Sequence, residues 1–251
     1  MCRGIETRGK KRKREEEEGS PSESTRSRVS GTADEIVTWN MEGSGSDAEK
    51  KQKIRRLLDD KSVKVIHLQE CGNPDSLPDP PPGWKREARE WAATQGGNPR
   101  CSLASYYRGN AISTGYVEAE RDSHRPAQRV SLTLSGRRLD CWNVHAPSGK
   151  TNPYRAPYVE QVVQTASSRG VPFTVAGDLN QEPATTQIGP IFKAKRMSVA
   201  APGLATRPKS KKVFDYFLHS PGVQMGDARV DRPSLDSDHL LVRNKISIAE
   251  L

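Results

Sequence analysis

Apolar residues recur along the chain with two distinct periods. A spacing of three and four appears in AEKKQKIRRLLDD (48–60), where Ile54, Leu57 and Leu58 share one face, and in YVEQVVQTA (158–166), where Val159, Val162, Val163 and Ala166 do. Both segments are expected to be amphipathic helices. Elsewhere the apolar residues come in short runs or alternate with polar ones, as strands require. These stretches are EIVTWN (35–40), VKVIHLQE (63–70), VPFTVAGDLN (171–180), KKVFDYFLHS (211–220) and SDHLLV (237–242). QRVSLTLSGRRLDCWNVH (128–145) reads as two strands around a tight turn at SGRR. CSLASYYRGNAISTGY (101–116) reads as a hairpin with Arg108–Asn110 near its turn, and the Pro- and Gly-rich CGNPDSLPDPPPGW (71–84) as a loop. No internal repeat is visible.

Strands and helices interleave while hairpins dominate. The expected fold class is α/β (α+β): a four-layer α/β sandwich, with two packed, mostly antiparallel sheets flanked by helices. Residues 1–34 stand apart. RGKKRKREEEEGSPSESTRSR has almost no apolar residues to offset its ordering entropy, so this stretch is expected to be a disordered tail, with one folded domain over 35–251.

Charge sharpens this division. The 251 residues carry a formal net charge of +9. Residues 1–35 hold nine Lys/Arg against eight Asp/Glu, leaving 31 against 23, a net of +8, for the rest. A basic folded body suits a polyanionic partner such as nucleic acid or an anionic lipid surface; a solvated basic surface is the plainer alternative. Within the tail, KKRKR (10–14) reads as a nuclear-localisation or nucleic-acid patch, or as a solubilising segment that Glu15–Glu18 partly neutralise. A nuclear location is expected on this basis, with a cytoplasmic one as the alternative. Cys2, Cys71, Cys101 and Cys141 have no C-x-x-C spacing and do not suggest a zinc site or a disulfide framework. No stretch approaches the length of a membrane span, and the N-terminus lacks the apolar region of a secretory signal.

Candidate chemistry lies where apolar strands end on polar residues. Asn40, Glu70, His145, the pair Asp178 and Asn180, and the pair Asp238 and His239 all occupy such ends. Taken singly, each has a bland reading. D-x-N is a common turn, Glu70 an exposed loop acid, His145 a satisfied core histidine. Side chains at i and i+2, however, leave a strand on one side, so Asp178 and Asn180 point together. Asp215 lies inside the apolar strand FDYFL, where an unpaired carboxylate is costly, and it requires a cationic or hydrogen-bonding partner.

In this order the segments resemble the endonuclease/exonuclease/phosphatase superfamily, the fold of deoxyribonuclease I, over roughly residues 36–247. GDLN and SDH carry most of the resemblance. TWNMEGSGS, LQECGNPDSLP, HRPAQRVSL and NVHA are most similar to the catalytic B subunits of cytolethal distending toxins. The resemblance implies a DNase I-like, Mg²⁺-dependent phosphodiesterase, in which Mn²⁺ or Ca²⁺ substitutes or assists. It would nick or cut double-stranded DNA, as a genotoxin does. Glu70 would be the main metal ligand, with Asn40 beside it and Asp238 near the metal or phosphate. Asp178 would orient or activate the attacking water and Asn180 would hold the phosphate. His239 would pair with Asp215, His145 would contact the scissile phosphate, and Arg125 would bind a phosphate oxygen. The residue types suit such chemistry: a hard cation on one or two carboxylates stabilises phosphate charge, and histidine titrates near neutrality. In deoxyribonuclease I a Glu orients the histidine matching His145; Glu87 and Glu90 lie in the corresponding region without aligning to it. A basic tail stands where the toxin subunit has a secretion signal, which leaves delivery and toxin partner subunits open. The same superfamily contains phosphoinositide phosphatases, so an anionic phosphoinositide is the alternative substrate. A DNA-binding module on a degenerate fold is the non-enzyme alternative, disfavoured because every expected catalytic position is filled. The basic loop RPKSKK (207–212) suits DNA or lipid headgroups equally.

Overall fold

The computed structural model describes residues 33–43, 45–91, 98–109, 111, 113–117, 125–149, 153–187, 189–231 and 237–249. Residues 1–32, including KKRKR, lie outside the described residues, so the expected tail rests on sequence alone. The first strand begins at Asp34.

Two mixed sheets form the centre. The first takes β1 (Asp34–Asn40), β2 (Val63–Gln69), β3 (Trp84–Arg89), β4 (Leu103–Arg108), β11 (Val223–Met225) and β13 (Val242–Ile248) in the order β11-β13-β1-β2-β4-β3, with β12 (Arg229–Val230) also on β13. The second takes β5 (Ser113–Val117), β6 (Ala127–Leu134), β7 (Arg137–His145), β8 (Phe173–Asp178), β9 (Ser198–Ala200) and β10 (Asp215–His219) in the order β5-β6-β7-β8-β10-β9. Each sheet has one parallel pair, β1 with β2 and β7 with β8, and the remaining pairings are antiparallel. The crossovers contain the two expected helices, α1 (Ala48–Asp59) and α2 (Arg155–Ser168). Two short helices follow β8: α3 (Pro183–Gln187) and α4 (Pro190–Ala194).

Three apolar layers separate four layers of structure. Ile54, Leu57 and Leu58 of α1 pack on Val37, Trp39, Ile66 and Leu68, the outer face of the first sheet. Tyr158, Val159, Val162 and Val163 of α2 pack on Trp142, Val144, Phe173 and Val175, the outer face of the second. Between the sheets lie Ile36, Val65, Val130, Leu132, Leu139, Cys141, Ala176 and Phe217. The four-layer expectation holds because two strand faces and two helix stripes need three separate cores.

The layer between the sheets changes character along the strands. Ile36, Thr38 and Asn40 share one phase of β1; Val65, His67 and Gln69 share one phase of β2; Leu139, Cys141, Asn143 and His145 share one phase of β7. At one end this phase is apolar. In the middle it is a buried polar network: Gln69 Nε2 donates to Asn143 Oδ1 at 2.7 Å, Asn143 Nδ2 to Leu68 and Ala104 carbonyls at 3.0 Å, and Ser105 Oγ to Gln128 Oε1 at 2.6 Å. At the carboxyl ends of the two parallel pairs it becomes a cluster of ionisable groups.

Two expectations fail. Residues 101–116 are not a hairpin: both edges of β4 are occupied, by β2 and β3, while β5 pairs with β6 in the other sheet. The segment crosses between sheets because the unbroken burial of Leu103–Tyr107 needs a partner strand on either side. The strand expected over SDHLLV starts only at Val242 and runs through VRNKISI, so Asp238 and His239 lie in the approach to β13. The SGRR turn is as expected: Ser135 and Gly136 have φ of 49° and 79°, the two-residue turn whose twist matches its strands.

Candidate active site

The alternation of β1 delivers Asn40, that of β7 His145 and that of β8 Asp178, all at strand ends that meet. Two backbone reversals complete the set. Glu70 follows β2 with a left-handed φ of 48°, and Asn180 follows Asp178 and Leu179 with φ of 52°. Non-glycine residues in this region are uncommon and concentrate at functional sites. They turn Glu70 and Asn180 out of the strand phase. Gly177 lets β7 and β8 approach: with φ of 150°, a Cβ there would lie 1.9 Å from Val144 O.

Asn40 Nδ2 donates to Asp178 Oδ2 at 3.0 Å, which ties the two sheets together at the site. Asn180 N–H donates to Asp178 Oδ1 at 2.9 Å, and its Nδ2 to Ala146 O at 2.9 Å. His145 Nε2 faces Glu70 Oε1 at 3.4 Å and Asp178 Oδ2 at 3.5 Å, beyond ordinary hydrogen-bond length. Its Nδ1 is buried with no partner among the described residues. Asp215 has the partner its burial demands: His239 Nδ1 lies 2.8 Å from Asp215 Oδ2, and His239 Nε2 lies 3.9 Å from Asp178 Oδ2.

These surroundings drive the two histidines apart. Burial lowers the pKa of His239, but Asp215, Asp178 and Asp238 outweigh it and raise the pKa to about 9. At neutral pH His239 is an imidazolium. Burial, with Arg125, His239 and Arg100 nearby, holds His145 well below its ordinary value, so it is neutral. Burial and then the Asp215 carboxylate push Asp178 up to about 7, against the opposing pull of His239. One site therefore holds a charged histidine, a neutral histidine and a carboxyl that exchanges its proton near neutrality.

Arginines surround this set. Arg100 Nε donates to Glu70 Oε2 at 2.7 Å, and Arg207 donates to Asp238 Oδ2 through Nε at 3.1 Å and Nη2 at 2.8 Å. Arg125 reaches Ala146 O and Ser148 Oγ, each at 3.3 Å, beside His145. Arg100 was not legible as a site residue, because a single helical turn, Pro99–Cys101, carries no period; Arg207 was legible only as part of the basic loop RPKSKK, not as the partner of Asp238. Gly43 is a trace of Arg100: a Cβ there would meet Arg100 Cγ at 2.6 Å. Glu42 was also missed; its Oε2 accepts from the Asp238 N–H at 2.9 Å. The Glu sought as an orienter of His145 is not supplied by Glu87, which faces Tyr107 and Tyr116. Cys101 is found beside His145 instead.

Among the described residues, two groups bring possible ligand atoms within 4.8 Å of one another: Glu70, Cys101 and His145, and Asp178, Asp215 and His239. Asp238 belongs to neither, and Arg207 holds its carboxylate. Glu70 and Asn40 carry oxygen donors of the kind a hard divalent cation takes.

The profile of the Endonuclease/Exonuclease/phosphatase family matches residues 37–239. The chain belongs to this family. Its enzymes are hydrolases that generally depend on divalent metals, in keeping with these donors. No curated protein matches the sequence. Among solved structures, the biologically active subunit of cytolethal distending toxin is similar at 20% identity and a TM-score of 0.61, over 84% of this chain and 96% of that one. A family member from Bacteroides vulgatus is 13% identical with a TM-score of 0.69, over 87% and 100% of the two chains. The mannosyl-6-phosphatase of Bacteroides thetaiotaomicron is 15% identical with a TM-score of 0.63, over 86% and 100%. At such identities the likeness is one of fold. No described helix is long and apolar enough to cross a membrane.

Proposed function

We propose that the protein is a Mg²⁺-dependent deoxyribonuclease that nicks double-stranded DNA. The observation that carries this reading is the meeting of His145, Asp178 and the Asp215–His239 pair at one acidic site rimmed by Arg100, Arg125 and Arg207. Glu70 and Asn40, with Asp238 nearby, would hold the cation, which supplies charge neutralisation at a phosphate oxygen. His239, oriented by Asp215, gives a proton or a charged hydrogen bond to an oxygen that gains negative charge. Asp178 accepts a proton from the attacking water, and Asn40 and the Asn180 N–H fix its carboxylate. His145 stays neutral and faces the phosphate. Environments that separate the pKa values of neighbouring groups are how acid and base roles are divided at one pH.

Purified protein is expected to convert supercoiled plasmid to nicked circles with Mg²⁺ and not with chelator. Added salt should suppress the reaction, since phosphate neutralisation releases counterions. The second reading is a phosphoinositide phosphatase. It is favoured by a cleft of about 780 Å³ beside Asn180 and Arg207, where Arg155, Lys212 and Phe214 suit a compact anionic headgroup. A soluble phosphoinositide in a parallel arm decides between them: intact plasmid with phosphate released from the lipid analogue would replace the nuclease reading.

The KKRKR segment is proposed as a nuclear address. A fluorescent fusion should concentrate in nuclei, and one with Lys10–Arg14 changed to alanine should not. Equal nuclear signal in both would remove the address.

A further inference from the structure

We propose that Cys101, His145 and Glu70 form a binding site for a thiophilic divalent cation of the zinc class, and that filling it stops catalysis. The inhibitory part rests on the phosphodiesterase reading above; the binding part does not. The thiol sulfur, a ring nitrogen and a carboxylate oxygen lie within 4.8 Å of one another. A tetrahedral ion with bonds of about 2.0–2.3 Å holds such ligands roughly 3.3–3.8 Å apart. His145 Nε2 and Glu70 Oε1 already stand at 3.4 Å, and the thiol, within 4.8 Å of ligand atoms on both residues, is the group that closure must draw in.

The three groups are held by separate parts of the fold. Cys101 ends a single helical turn, Pro99–Cys101, capped by Asn98 just before β4. Cys71 N–H donates to Ser102 O at 3.1 Å and Gly72 N–H to Arg100 O at 3.4 Å, which pin this turn to the segment after Glu70. Arg100 takes Glu70 Oε2 and leaves Oε1 toward His145. His145 comes from the other sheet, almost fully buried. Cys71 and Cys141, the other described cysteines, sit in apolar cores instead.

The donor types decide the cation. Mg²⁺ prefers oxygen ligands and keeps its waters, whereas a sulfur, an imidazole and one carboxylate suit zinc. Burial raises the Cys101 pKa, so without a cation the group is a thiol rather than a reactive thiolate. Binding forms the metal–sulfur bond as that proton leaves to solvent. His145 Nε2 then bonds the cation and no longer faces a phosphate, and Glu70 is withdrawn from Mg²⁺.

The test uses the full chain with Cys2→Ser, so that the thiol of residue 2 is absent, and Co²⁺ as the optical probe. Co²⁺ should give a near-ultraviolet thiolate-to-metal charge-transfer band that Zn²⁺ abolishes. Cys101→Ser should lose the band, bind Zn²⁺ at least about tenfold more weakly and need correspondingly more Zn²⁺ for inhibition, since even an outer-sphere partner is worth that much. A melt on each variant confirms that it is folded, and Cys101→Ala serves if the serine variant is not. Co²⁺ binding without the band, a band that survives Cys101→Ser, or unchanged Zn²⁺ affinity overturns the proposal. Should the band behave as stated while neither plasmid nor phosphoinositide is cleaved, the cation site stands and the phosphodiesterase reading falls.

Discussion

His239→Gln is expected to lower single-turnover cleavage of a short duplex at least about a hundredfold, within the roughly 10²–10⁴ range of general acid–base effects. Gln keeps much of the size and a hydrogen-bonding group but cannot carry the charge that Asp215 stabilises on His239. His145→Gln should cost a similar factor. Asp215→Asn should resemble His239→Gln, and the double variant should lose far less than the product of the singles, since groups that act as a unit are non-additive. A second readout separates chemistry from folding. The ordinary pKa of histidine is 6.5, and in the fold His239 rises to about 9. Between these values the native state holds a proton that the unfolded chain releases, so stability is fully present below about 6.5 and is lost as pH rises through about 9. Asp178, raised from 3.8 to about 7, acts with the same sign at lower pH. In chelator, the wild-type melting temperature should therefore fall from pH 6.5 to 9.5, and His239→Gln should flatten that fall. Near wild-type cleavage by the histidine variants would remove the site assignment.

Among the described glycines, Gly177→Ala is expected to be the most destructive alanine substitution. At this position φ is 150° and the new Cβ would lie 1.9 Å from Val144 O, its register partner in the parallel β7–β8 pair. A backbone carbonyl has no rotamer by which to yield. The strands must part at the place where they deliver His145 and Asp178. The expected cost exceeds about 4 kcal/mol, the range reserved for steric failures of this kind. In a chain of this size that is a fall in melting temperature of about 10 °C or more. Gly203→Ala is the control: nothing lies within 4 Å of its Cβ, so it should stay within about 0.5 kcal/mol of the parent. Thermal melts that place the two variants together would show that β7 and β8 do not approach as described.

Much of this architecture could be read from period and chemistry. The 3.6-residue stripes of α1 and α2, the strands around SGRR and the apolar run before GDLN are local patterns, set by residues a few positions apart. The polar strand ends were legible for the same reason, because a carboxylate such as Asp215 inside an apolar run contradicts its own neighbourhood and calls for a partner. β3 was hidden: WKREAR is an edge strand, half-exposed and charged, and it lacks the apolar signal of a central one.

What the sequence determined by itself is therefore the two crossover helices, the apolar central strands, the family resemblance and the polar residues that end the strands. Only the tertiary structure decided that β4 and β5 part into different sheets, that Arg100 and Arg207 reach Glu70 and Asp238, and that Cys101 stands beside His145. The reason is range. A period is written in neighbouring residues, whereas an arginine in an irregular loop acquires its partner from packing between segments far apart in the chain. Arg207 and Asp238 are 31 residues apart, and Asn40 and Asp178 are 138. Their meeting depends on two sheets closing over one core, where an apolar layer becomes polar along its strands and ends in a charged cluster.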